Sequence, residues 1–383
     1  MKKLLAMALT FIMIIGLSAC GTQGTATSGN TTSGSESEST GPVLENVIIG
    51  VVVSSPTNSE VVQLVEYLNY LSENMPVTFK ISEATSSPEK EIFFIENCAT
   101  AGVKAIIGQY ASNPAAAIEK CAEYGMYYSG SAENPEIYDA YKDNPYYLGS
   151  ITWGNGNYDA LYQMGKYLTD LGCKKIVYAN GGADSGVQQF IERQDGFKAA
   201  IAEAGLNYNE SVIVVSGFPA DPFYAAQQAA LSEKIDAVCA SFNGVDYWAT
   251  PMAANGLAGK IPLASYGSLN QLYLDAMVNG TLNVLAATNV QKYGLQVGLI
   301  FNAVNGDAAA LKDNGVSATN KATSVWLISD PQEAKKIFDI QEGQKIFSAE
   351  DVLSLCTKVN PNASSKTLED LIANSSVEKI LAR

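Results

Sequence analysis

The 383-residue chain carries 39 acidic and 24 basic side chains, a net charge of −15, and no histidine. That acidity excludes nucleic acid as a partner, because its binders present a basic surface. The missing imidazole excludes Ser-His-Asp and Cys-His catalysis and His-ligated zinc, so neither an enzyme of those classes nor a cofactor is expected. A hydrophobic content of 47% supports a packed interior, and the length suits two domains better than one core.

The chain begins with Lys2 and Lys3, then an apolar run from Leu4 to Leu17 broken only by Thr10 and Gly16. A basic head, a short apolar core and small residues at its end form a secretory signal, too short to remain as a spanning helix. The ending Leu17-Ser18-Ala19-Cys20 resembles the lipobox of bacterial lipoproteins. That resemblance implies removal of residues 1–19, a diacylglycerol on Cys20, and a protein exported and anchored to the outer face of the cell membrane. Residues 20–44 are dominated by Gly, Ser, Thr and Glu, the composition of a flexible tether. No later stretch is apolar enough to cross a bilayer.

Past the tether, short apolar runs alternate with amphipathic ones. Val47–Val53 is a continuous β-branched strand, and the apolar residues Val61, Leu64, Val65, Leu68 and Leu71 mark one face of a helix over 58–74. Strands follow at 77–81, 103–107, 126–129 and 146–151, with helices at 88–101 and 114–124. The rhythm restarts with helices at 158–171, 187–204, 222–231, 246–255 and 269–278. Between them fall strands at 175–179, 212–215, 237–240, 261–266 and 283–288. Strands joined by crossover helices make a parallel sheet covered on both faces, and two such runs make two doubly wound α/β lobes. A helix to 305, a polar loop, a strand at 324–328 and short helices at 331–340, 349–358 and 366–373 complete the chain, and nothing local says which lobe the tail joins. Five cysteines other than Cys20 (Cys98, Cys121, Cys173, Cys239, Cys356) are odd in number and widely spaced, as core-packing residues are.

Open parallel sheets bind ligands beyond the carboxyl ends of their strands. The corresponding loops, among them Ser54–Asn58, Gly130–Asn134, Gly181–Ser185, Ser216–Pro222, Phe242–Tyr247 and Tyr266–Asn270, are rich in Ser, Asn, Tyr and Trp and poor in cations. Such a lining suits a small neutral polyhydroxyl or nucleoside-like ligand. Trp153, Tyr247 and Trp248 form a candidate stacking group, and Asn58 and Tyr266 candidate polar contacts. Arg193, one of two arginines in the chain, falls at the border of its helix's apolar stripe. It reads either as a ligand donor or as an ion-pair partner of Glu192 or Asp195. Gly154-Asn155-Gly156 lacks a dinucleotide fingerprint, residues 181–186 lack a P-loop lysine, and no Gly-x-Ser-x-Gly elbow occurs. For a hydrolase, Asp184 with Asp221 or Asp246 is the one carboxylate combination to test.

Four segments, in this order, resemble the type I periplasmic substrate-binding proteins of ABC transporters, nearest the sugar-binding, ribose-type branch. They are KKIVYANGG followed by RQDGF (Arg193 to Phe197), IDAVCASFNG (Ile235 to Gly244), KIPLASYGS (Lys260 to Ser268) and GTLNVLAATNVQKYG (Gly280 to Gly294). The resemblance implies two lobes joined by a three-stranded hinge. Lobe 1 would comprise 45–150 plus 292–322, lobe 2 151–291 plus 323–345, and 346–383 a helical extension. It carries the family's Arg, Asn and Gln ligands onto Arg193, Asn243 and Gln291, and implies a monomer that closes over a sugar and hands it to a permease. Alternatives are a nucleoside ligand or a membrane signalling receptor as partner. The chain departs from the family where sugar-clamping carboxylates are usual, reading Ser129-Gly130-Ser131 and Tyr266-Gly267-Ser268.

Overall fold

A computed structural model describes residues 42–85 and 87–383; the signal, Cys20 and the tether up to Gly41 lie outside the described residues. The first sheet is built from β1 (Val47–Val52), β2 (Val77–Ile81), β3 (Ala105–Gly108), β4 (Tyr127–Gly130) and β5 (Tyr147–Thr152). Its helices are α1 (Ser59–Asn74), α2 (Pro88–Thr100), α3 (Pro114–Glu123) and α4 (Pro135–Tyr141). The second lobe follows with α5 (Gly156–Asp170), β6 (Ile176–Gly181), α6 (Gln188–Glu203), α7 (Tyr208–Ser211), β7 (Val212–Ser216) and α8 (Asp221–Ser232). It continues with β8 (Ala237–Ala240), α9 (Gly244–Ala254), β9 (Leu263–Ser268), α10 (Gln271–Val278) and β10 (Val284–Thr288). The chain then returns through α11 (Tyr293–Asn305) to β11 (Thr319–Ala322), and leaves again to β12 (Trp326–Ile328). It ends in α12 (Pro331–Gly343), α13 (Ala349–Ser354), α14 (Ser365–Ala373) and α15 (Val377–Leu381).

Strand order is β2-β1-β3-β4-β5-β11 in one sheet and β7-β6-β8-β9-β10-β12 in the other. All pairings are parallel except β10 with β12. Each sheet therefore reverses direction beside its first strand, at β1/β3 and at β6/β8, which opens a crevice at the strand carboxyl ends. Helix starts repeat one local device. Asn113, Asn134 and Asp330 each cap a helix whose next residue is proline, so a side-chain oxygen takes orphan N–H groups and the proline sacrifices none.

Before the tail, three backbone crossings join the lobes: β5 to α5, β10 to α11, and β11 to β12. The expected polar loop before β12 contains an edge strand, β11, whose residues other than Thr319 are largely uncovered. Gly149 sits opposite it at φ 75°, where a Cβ would lie 1.9 Å from the Thr319 carbonyl oxygen. Gly149→Ala is therefore expected to lift β11 off β5 and to cost at least about 2 kcal/mol, read as a lowered urea midpoint. An unshifted midpoint would mean the edge tolerates the displacement.

The tail joins both lobes. From α12, packed on α10, β12 and α15, the chain crosses to α13, which packs on α11 and α1. Tyr67 of α1 donates to the Phe347 carbonyl (2.7 Å), and Trp326 Nε1 donates to the Ser375 carbonyl (3.0 Å). Cys98, Cys121, Cys173, Cys239 and Cys356 are all buried and unbridged, and burial pushes the Cys98 thiol up to about 11. These thiols pack the core, as their apolar neighbours suggest.

Candidate functional site

Arg193 is placed by close helix packing. Helices α5 and α6 touch backbone to backbone at Gly196, where a Cβ would stand 2.1 Å from the Tyr158 carbonyl oxygen. This contact carries Arg193, 6% exposed, into the crevice side of lobe 2. Its Nε donates to Asn157 Oδ1 (3.0 Å) and its Nη1 to the Ser241 carbonyl (2.8 Å). The guanidinium lies 3.6 Å from the Tyr266 ring centre and 4.9 Å from that of Phe190. Tyr266 in turn donates to Asn157 Oδ1 at 3.3 Å. Arg193 pairs with neither expected carboxylate: Glu192 accepts from Asn157 and Gln188, and Asp195 pairs within the helix with Lys198 at 4.0 Å. Of the five N–H donors on the planar fork, two are engaged.

Lobe 1 answers with a carboxylate. Asn58 Oδ1 caps α1 by accepting from the Glu60 backbone N–H at 2.9 Å, which sets Glu60 in the helix's first turn. The Glu60 carboxyl lies within electrostatic reach of Arg193 and Lys292; burial raises it, the two cations pull it back down, and Asp246 raises it further. A turn later, Gln63 Nε2 donates 2.7 Å across to the Leu269 carbonyl of lobe 2, while its Oε1 has no partner. A carboxylate thus enters the site from α1 and not from the loops where the resembled family usually carries it.

The hinge closes the floor. Lys292 is 6% exposed, donates to the Ile151 carbonyl at 2.7 Å, and holds its Nζ 3.9 Å from the Trp153 ring centre. Half-buried Trp153 also lines a cavity of about 350 Å³ with Asn155, Asp159, Thr323 and Val325. On the lobe 2 lip, Phe218 is 50% exposed yet wedged against Phe190 (5.4 Å, 72°) and Phe242 (5.7 Å, 65°), a firmly held apolar face.

Two expected contacts are not delivered. Gln291 spends its whole amide on the tail, Nε2 donating to the Gln341 carbonyl (2.9 Å) and Oε1 accepting from the Ile346 N–H (2.6 Å). Residues 290–292 form a 3₁₀ turn, in which neighbouring side chains point about 120° apart, so Lys292 faces the cleft floor and Gln291 does not. Trp248 is fully enclosed against Phe223 (6.1 Å) in the lobe 2 core, and offers no stacking face. Tyr247 is half-buried beside Phe242 (5.9 Å), and its carbonyl accepts from Gln227. Asn243 stands half-buried at φ 35° immediately before α9, with no capping bond from its side chain. Asn58 is engaged in its cap.

Two carboxylates of the expected hydrolase combination, Asp184 and Asp246, are held by other groups. Asp184 accepts from Ser216 Oγ (2.5 Å) and Asn180 Nδ2 (3.0 Å), which hold its carboxyl below the usual range, while Asp246 accepts from Tyr273. Among the described residues no cluster of acidic or thiol groups is arranged to hold a metal. The sequence reading overlooked Glu60, Gln63, Lys292 and Phe218. Phe218 lay inside a loop already singled out, and Glu60 two residues beyond Asn58; nothing local marked Lys292 over Gln291.

No family model and no curated protein matches the sequence. Solved structures share the fold. A periplasmic sugar-binding protein from Pseudomonas fluorescens superposes with a TM-score of 0.64 at 13% identity, covering 88% of this chain and 99% of its own. A periplasmic solute-binding protein of an ABC transporter from Actinobacillus succinogenes, bound to D-allose, gives 0.58 at 16% identity, covering 76% and 99%. A LacI family transcriptional regulator from Silicibacter pomeroyi gives 0.52 at 18% identity, covering 74% and 97%. The likeness establishes a two-lobe α/β architecture of the periplasmic-binding-protein type; a fold shared by transport proteins and regulators does not assign the function.

Proposed function

We propose that this protein is a lipid-anchored extracytoplasmic solute-binding protein that closes its lobes over a small neutral polyhydroxyl ligand, a sugar or sugar-like molecule, and delivers it to an ABC permease. The observation that carries the reading is Arg193, clamped on lobe 2 with unspent donors, within electrostatic reach of Glu60 on lobe 1. A hydroxyl both donates and accepts, so a polyol satisfies a carboxylate on one side and a guanidinium on the other. The ligands named for the structural neighbours, D-allose among them, agree with that chemistry. Closure follows population shift: ligand favours the state in which both lobes touch it, and the three crossings absorb the rotation.

Native mass spectrometry of the chain from Gly21 onward is expected to show a co-purified adduct of pentose, hexose or cyclitol mass, and calorimetry against such compounds to show one site. Absence of both would remove the reading. Cys20→Ala is expected to move the protein from the detergent phase to the aqueous phase on phase partitioning. An unchanged distribution would remove the lipid anchor.

A further inference from the structure

Lys292 is an unusual occupant of its position. A buried ammonium needs acceptors for three N–H groups, and Lys292 has one, the Ile151 carbonyl at 2.7 Å. The rings of Trp153 (3.9 Å) and Tyr293 (5.3 Å) flank it and stabilise the charge without accepting a directed bond. Glu60 and Glu133 lie within electrostatic reach, yet neither forms an ion pair with it, unlike Lys321, which binds Asp313 at 2.8 Å. A position needed only for packing is filled at less cost by leucine or methionine. The cation therefore stands ready for an acceptor that arrives from outside.

We propose that Lys292 is a ligand-binding residue that donates from the hinge to a hydroxyl oxygen of a neutral polyol, while Glu60 accepts from that polyol and Arg193 donates to it from the two lobes. The inference rests on the proposed function and names the third wall of the same site. The local charges speak against an anion: Glu60, Glu133 and Asp246 against Arg193 and Lys292 leave no excess of positive charge to hold one.

A pH dependence results. Burial lowers the Lys292 ammonium to about 8, with Glu133 and Glu60 opposing the shift. The charged and titratable groups around it are Glu60 on α1, Glu133 in the β4–α4 loop and Tyr293 on α11, and Tyr266 on β9 and Arg193 on α6 share its neighbour Glu60. Burial pushes both phenols upward, so they keep their protons as Lys292 loses its own. Affinity falls from pH 7 to pH 9. The Lys292 contribution to stability rises above about pH 8, where the folded chain has lost a proton that the unfolded lysine keeps, whereas the buried thiols, pushed up by burial, lose stability over the same range. Thermal melts at pH 7 and pH 9 therefore accompany the titrations, so that weakened binding is read only from folded protein.

The test is calorimetric titration of the chain from Gly21 onward with D-ribose, D-allose, L-arabinose and myo-inositol. Native protein is expected to bind at least one of them, several-fold more weakly at pH 9 than at pH 7. Lys292→Met, checked for folding by thermal melt, is expected to bind about ten-fold more weakly at pH 7 and to lose the pH dependence. Native-like affinity in the folded variant would overturn the role of Lys292 and leave the sugar reading standing. A native affinity flat between pH 7 and 9 would overturn it even if the variant failed to fold. Binding of none of the four compounds would remove the sugar reading and this inference with it.

Discussion

Arg193→Ala is expected to weaken polyol binding by about 1.5–3 kcal/mol, the worth of charge-assisted hydrogen bonds in a closed site. The same change strips the Ser241 carbonyl of its donor, leaves Asn157 Oδ1 with Tyr266 alone, and removes the cation stacked 3.6 Å from the Tyr266 ring centre. A lower melting temperature therefore accompanies the binding loss, and titration belongs well below it. Arg193→Lys separates the two effects. A point-charge ammonium keeps the charge but cannot reach Asn157, Ser241 and a ligand hydroxyl together, so most of the affinity is lost with the charge retained. Full affinity in either folded variant would return Arg193 to a purely structural role.

Phe347→Ala is expected to cost about 3–5 kcal/mol, read from the midpoint and slope of urea unfolding. Phe347 is 1% exposed in the principal core, and its carbonyl accepts from Tyr67 of lobe 1. Its neighbour Ile346 donates to Gln291 at the hinge, and Gln341 donates to the same Leu269 carbonyl that Gln63 reaches. The tail is thereby tied to lobe 1, to lobe 2 and to a crossing between them. Loss of so large a buried ring should also loosen those ties. A cost below about 1 kcal/mol would make the tail an appendage.

Much of the lobe architecture was legible because each buried parallel strand is a short apolar run and each covering helix an amphipathic one. β1 is a continuous run of this kind, buried along most of its length. The misses share a cause. β11 is a polar edge strand that shows no apolar pattern, and α4 buries none of its residues, so neither has a periodic signal to read. Trp248 looked like a loop-end aromatic because its helix was expected to start two residues later; the helix begins at Gly244 and turns the indole inward.

Sequence by itself determined the alternation of strands and helices, the likeness of the two halves, and the border position of Arg193 on its helix. Periodicity records which face of an element is apolar, and each of these follows from it or from local composition. Tertiary structure alone decided that Glu60 comes within electrostatic reach of Arg193 across the lobes, that the 3₁₀ turn directs Lys292 toward Ile151 and Trp153 and Gln291 toward the tail, and that the tail joins both lobes. Those outcomes depend on which faces meet after distant segments pack, and no local pattern carries the identity of a partner far away in the chain.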